Sequence, residues 1–116
     1  MKKLPIEDVI NPWMSDHNPH TFATMLKLIE ECGELISRSA RSLMAGFEDI
    51  DPDSKLSNKA EMVREISDVV ACLTELENRL DIFHDPHRTE RKLTGFTRWH
   101  NLINEELAKK NDRQTN

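Results

Sequence analysis

Three glutamates fall within five positions of the stretch KLIEECGELISR (residues 27–38): Glu30, Glu31 and Glu34. Further along, EMVREISDVV (61–70) carries Glu61, Glu65 and Asp68. A helix turns about 100° per residue, so positions i and i+3 lie about 60° apart on one face. Glu31 and Glu34 therefore point together, and so do Glu65 and Asp68. Two carboxylates about 5 Å apart repel by roughly 3 kcal/mol at an effective dielectric of about 20. Several such pairs exceed what the small net stability of a domain absorbs, and a divalent cation removes the repulsion. Oxygen donors without His or Cys select Mg²⁺, or Mn²⁺ in its place, over zinc. A carboxylate-held Mg²⁺ keeps waters and takes substrate phosphates as its remaining ligands. The chemistry these residues suggest is metal-assisted work on a phosphate compound.

The bland alternative makes both acidic lines solvated outer faces. Lys27–Glu31 and Glu34–Arg38 would then be ordinary i,i+4 pairs, worth a few tenths of a kcal/mol each. Against it stands the second stretch, where Arg64 is the sole cation beside Glu61, Glu65 and Asp68. The same pair spacing also recurs on two consecutive helices, which an antiparallel arrangement would bring face to face.

The elements that must position these groups read as helices. Asn18 is a helix N-cap with Pro19 at the first helical position. Phe22, Met25, Ile29, Cys32, Ile36, Ala40 and Leu43 then follow in three- and four-residue steps, nearly opposite the carboxylates. Gly46 stops this helix, and the acidic loop EDIDPDSK follows. Asn58, with Glu61 three residues on, resembles a capping box opening a second helix. Its stripe is Val63, Ile66, Val70, Leu73 and Leu76 or Leu80. DIFHDPH breaks the chain again, and a last helix carries Leu93, Phe96, Trp99, Leu102 or Ile103, and Leu107. Pro5 opens a short N-terminal helix ending near Asn11-Pro12.

With 116 residues, one domain is expected, spanning 1–108, with 109–116 a polar tail without structure. A charged content of 32% with three Gly, five Pro and no Tyr favours an all-α antiparallel bundle over a strand-rich fold. Two amphipathic helices do not easily close a core alone, so a homo-dimer or homo-tetramer is expected. The net charge of −5 argues against a nucleic-acid partner. No apolar run of about 18 residues spans a membrane. The N-terminus has no apolar core of a signal peptide, and two thiols, Cys32 and Cys72, suit a reducing cytoplasm.

EECGE followed by EISD resembles the Glu-Glu-x-x-Glu … Glu-x-x-Asp signature of the MazG-like all-α nucleoside triphosphate pyrophosphohydrolases. The similarity runs from about Leu26 to Leu80, more weakly through RKLTGFTRW (91–99). The gap between the halves is longer than in the tersest members, because of EDIDPDSK. The resemblance implies cleavage of a nucleoside triphosphate between the α- and β-phosphates. Glu31, Glu34, Glu65 and Asp68 would bind Mg²⁺, and Glu30 would hold a metal or orient the attacking water. It implies a basic residue after the second motif helix, for which Lys92 fits best, with Arg91 and Arg98 beside it. Gly95 and Phe96 depart from the pattern where some members continue with another basic residue.

Lys27, Glu61, Lys92, Arg98 and Trp13 are the candidate substrate contacts. Trp13, Phe22 and Trp99 suit base stacking, against core or interface packing as the plainer reading. His84 and His87 read as a turn pair, Cys32 as core, and Cys72 as a packing residue near the site. Two other readings stay open: a helical adaptor with solvated acidic faces, and a related enzyme on another diphosphate-containing nucleotide such as phosphoribosyl-ATP.

Overall fold

The computed structural model describes residues 18–115. The short N-terminal helix expected near Pro5 lies outside them. Three helices follow in order: α1 (Pro19–Ala45), α2 (Asn58–Leu80) and α3 (Pro86–Thr115). The described residues are all-helical apart from their connections, as the composition suggests. It divides after Ile82 into two units, where the sequence reads as one domain over 1–108.

The first unit holds α1 and α2. The Asn18 side chain caps α1 by accepting from the amides of His20 and Thr21 at 3.0 and 3.1 Å. Gly46 ends it with φ 96°, a backbone conformation that side-chain-bearing residues rarely adopt. The cap of α2 is Ser57, whose Oγ accepts from the Ala60 amide at 3.1 Å, and not Asn58. Asn58 sits one position inside the helix because its amide is engaged elsewhere, as described below.

The two helices run antiparallel, since Arg38 meets Asn58 and Glu61 while Ser39 lies against Met62 and the Glu31–Glu34 turn meets Glu65 and Asp68. Residues facing the seam from α1 include Leu28, Glu31, Leu35, Arg38 and Ser42, and from α2 Asn58, Glu61, Glu65, Cys72 and Leu76, all buried or half-buried. The loop between the helices folds onto itself. Ile50 and Ser57 form an isolated antiparallel bridge, and the Asp51 amide donates to Leu56 O at 2.8 Å.

The apolar stripes do not form a core. Among the described residues no hydrophobic side chain is buried, and the buried ones are Thr21, Glu31, Ser42, Asp51, Asn58 and Glu61. Ile29, Ile36 and Leu43 of α1 and Val63 and Val70 of α2 are all more than half exposed. Cys32, read as core, is only half-buried, as is Phe22, for which core or interface packing is the plainer reading. The reason is geometric: the stripes lie opposite the carboxylates, and the carboxylates face inward.

The second unit is α3, capped by Asp85, whose Oδ1 accepts from the amides of His87 and Arg88 at 3.0 and 3.2 Å. The helix continues to Thr115, so residues 109–115 are helical where the sequence reads as an unstructured tail. Lys109 pairs with Glu106 at 3.3 Å, and this stretch is rich in good helix formers. Trp99 is exposed within its unit, with its ring 6.2 Å from Phe96.

Candidate metal centre

Glu31 and Glu34 lie one turn apart on α1, and Glu65 and Asp68 one turn apart on α2. The antiparallel seam brings them together, so that one carboxylate oxygen from each lies within 4.8 Å of the other three. Glu31 is buried, Glu65 half-buried, and Glu34 and Asp68 exposed. The group is therefore open on one side and closed on the other.

On the closed side, the Oε2 atoms of Glu31 and Glu65 are shielded from solvent and accept no hydrogen bond. A buried carboxylate oxygen without a partner costs free energy, and native structures keep few of them. Glu31 is only 7% exposed, and its other oxygen, Oε1, takes Lys27 Nζ at 3.2 Å. Lys27 also reaches Glu30 at 3.4 Å. Its ammonium is held above its usual pKa by the hydrogen bonds it donates to Glu31 and then Glu30. The single lysine leaves most of the negative charge uncompensated. Glu34 registers the remainder, because the charge of Glu31 beside it pushes its carboxyl pKa up. Cys72 has its thiol pKa pushed up by burial and then by the charge of Glu31. Four carboxylates in this geometry, two with orphaned buried oxygens, can hold a metal ion. Their donor set is all oxygen, which fits a hard cation.

The other expected site residues are placed as follows. Glu30 is an exposed neighbour of the cluster, paired with Lys27. Lys92 and Arg98 are exposed on α3 in the second unit, where Arg98 with His87, Glu90 and Gly95 lines a groove of about 530 Å³. Trp13 lies outside the described residues. Glu61, expected on the substrate side, is buried, and its two oxygens face arginines instead: Oε2 lies 3.6 Å from Arg38 and Oε1 3.3 Å from Arg64. It is one turn too far down the seam to join the other four.

Arg38 does not pair with Glu34 four residues earlier. Its Nη1 donates to Asn58 Oδ1 at 2.9 Å and its Nη2 to Asp51 Oδ2 at 3.0 Å. In the sequence Asp51 is one acid of the polar loop EDIDPDSK. Asp51 Oδ1 accepts the amides of Asp53 and Ser54, and Oδ2 also takes Arg41 at 3.2 Å. Those backbone donors, then Arg38, hold its pKa down at about 2. The available signal was Asp-Pro-x-Ser, a turn in which Asp bonds the backbone ahead of it.

Compared with protein-family models, curated proteins and solved structures, the chain matches none.

Proposed function

We propose that this protein is a MazG-like, Mg²⁺-dependent nucleoside triphosphate pyrophosphohydrolase, with Mn²⁺ a possible substitute. The observation that carries the reading is the convergence of Glu31, Glu34, Glu65 and Asp68 with two buried, unpartnered oxygens among them. A helical adaptor with solvated acidic faces does not account for a buried Glu31.

Glu31 and Glu65 would hold the metal from the closed side, and Glu34 and Asp68 from the side open to substrate. A divalent cation held there would supply charge neutralisation at the phosphates and activation of a water. Glu30, exposed beside the cluster, accepts a proton from the water whose oxygen bonds to the α-phosphorus. The bridging oxygen leaves with the β-phosphate, giving a nucleoside monophosphate and pyrophosphate. Lys27 stays beside the cluster as a counter-charge.

The working form is a homo-dimer or homo-tetramer, because the outward stripes of α1 and α2 need an apolar cover. The cytoplasm supplies its substrates, and no nucleic-acid or membrane partner is proposed. No helix among the described residues is long and apolar enough to cross a membrane.

The test is pyrophosphate release from a panel of ribo- and deoxyribonucleoside triphosphates with Mg²⁺, for wild type, Glu34→Ala and Asp68→Ala. Release by the wild type that both variants lose by 100-fold or more supports the reading. No release from any substrate by folded wild type sinks it.

A further inference from the structure

Next to the carboxylate cluster, one turn along the seam, lies a second polar group. Arg38 follows Glu34 by four residues on α1, and Glu61 precedes Glu65 by four on α2. The antiparallel pairing that joins Glu34 to Glu65 therefore joins Arg38 to Glu61. The Arg38 side chain is 11% exposed, and its partners come from two places. Asp51 belongs to the loop, and Asn58 and Glu61 to the first turn of α2. Asn58 Nδ2 in turn donates to Gly46 O at 2.9 Å, which ties α2 to the end of α1. Ser42 Oγ caps the arrangement by donating to Arg38 O at 2.8 Å.

Resting on the metal-centre reading above, we propose that Arg38 is a positioning residue that fixes the register of α1 against α2, so that the four metal-binding carboxylates meet. The magnitudes make register decisive. Sliding one helix by a turn moves its side chains by about 5.4 Å. The four ligand oxygens lie within 4.8 Å of one another, so a one-turn slip separates the pairs. The outward apolar stripes repeat along both helices and do not by themselves select one register. Leu28, Leu35 and Leu76 in the seam are few and similar. The planar guanidinium has directed donors, and here they reach the loop and α2 together. A lysine would keep the charge as a single point and lose the fork.

The test is Mg²⁺ binding by titration calorimetry, with helicity followed by circular dichroism, for wild type, Arg38→Lys, Asp51→Asn and Leu76→Ala. Leu76→Ala lowers stability at a seam position away from the network and serves as the control for weakened packing. Arg38→Lys is expected to weaken Mg²⁺ binding at least 10-fold with helicity retained, and Asp51→Asn several-fold. Leu76→Ala should bind as the wild type does. Asp51→Asn carries the test should Arg38→Lys fail to fold. Wild-type affinity in both network variants overturns the positioning role and leaves the metal centre standing. So does an equal loss in Leu76→Ala, which would assign the effect to stability alone. A folded wild type that binds no Mg²⁺ overturns the metal reading and this role with it.

Discussion

The seam between α1 and α2 and the outer faces of the same two helices carry opposite chemistry. At the seam lie Glu31, Glu61, Glu65 and Arg38, with a few half-buried leucines between them. The outer faces carry Ile29, Ile36, Leu43, Val63 and Val70. A helix pair that folds alone in water puts the second set inside and the first outside. In the proposed reading each face has an additional partner, a cation for the seam and apolar surface for the outside. The difference teaches that an amphipathic pattern reports two faces without saying which one the neighbouring helix covers.

The comparison breaks most visibly if the outer face is charged. Ile36 is 70% exposed in the single chain, and a substitution at such a surface position normally changes stability by no more than about 0.5 kcal/mol. If a second copy covers it, Ile36→Asp places an unpaired charge in an apolar interface. The expected outcome is dissociation to monomer with loss of much of the helicity, read by sedimentation velocity and circular dichroism. A wild type that sediments as a stable, helical monomer would show that the outer faces need no second copy.

The next effect belongs to the seam and should change sign with metal. Without Mg²⁺, Glu31→Gln removes one of four crowded charges and should raise the melting temperature by a few degrees. With Mg²⁺ at 100 times its dissociation constant, the wild type should gain about 2.7 kcal/mol and the variant almost nothing. For a chain of this size that gain corresponds to a shift on the order of 10 °C. Melting curves that do not cross between the two conditions would return Glu31 to an ordinary structural role.

What was legible in the sequence follows the range of the interaction. The start of α1 at Asn18-Pro19 and its end at Gly46 depend on neighbours a few residues away, and both are read correctly. The i,i+3 carboxylate pairs are equally local, and their meeting needs only two antiparallel helices. Arg38 defeats the local rule. The partner that the solvated-face alternative gives it, Glu34, is one turn off, but Asp51 and Asn58 present better acceptors 13 and 20 residues away. The one-residue error at the start of α2 has the same cause, because Asn58 is drawn into that network and Ser57 caps in its place. Glu61 looked like part of the acidic line because periodicity does not mark where along a seam a cation intrudes. The helical stretch 109–115 was missed because it lacks an apolar stripe, although its charged residues are good helix formers.

The smallest effect is a pH dependence that separates the two polar groups of the seam. Asp51 has its pKa lowered to about 2 by the amides of Asp53 and Ser54 and by Arg38. A carboxyl group lowered in the folded state binds fewer protons there than in the unfolded chain. Its contribution is therefore complete above the unfolded value near 4 and is lost as pH falls toward about 2. Glu34 shifts the other way, since Glu31 raises it. Its repulsion is relieved by protonation, so without metal this group favours the folded state as pH falls below neutrality through its raised pKa. Melting temperature followed downward from neutral pH should first hold or rise slightly, and fall only once Asp51 titrates. In Asp51→Asn the fall should be shallower below about pH 4, with the earlier segment unchanged. A wild-type profile that falls steadily from neutral pH would mean that neither group is compensated as the seam geometry implies.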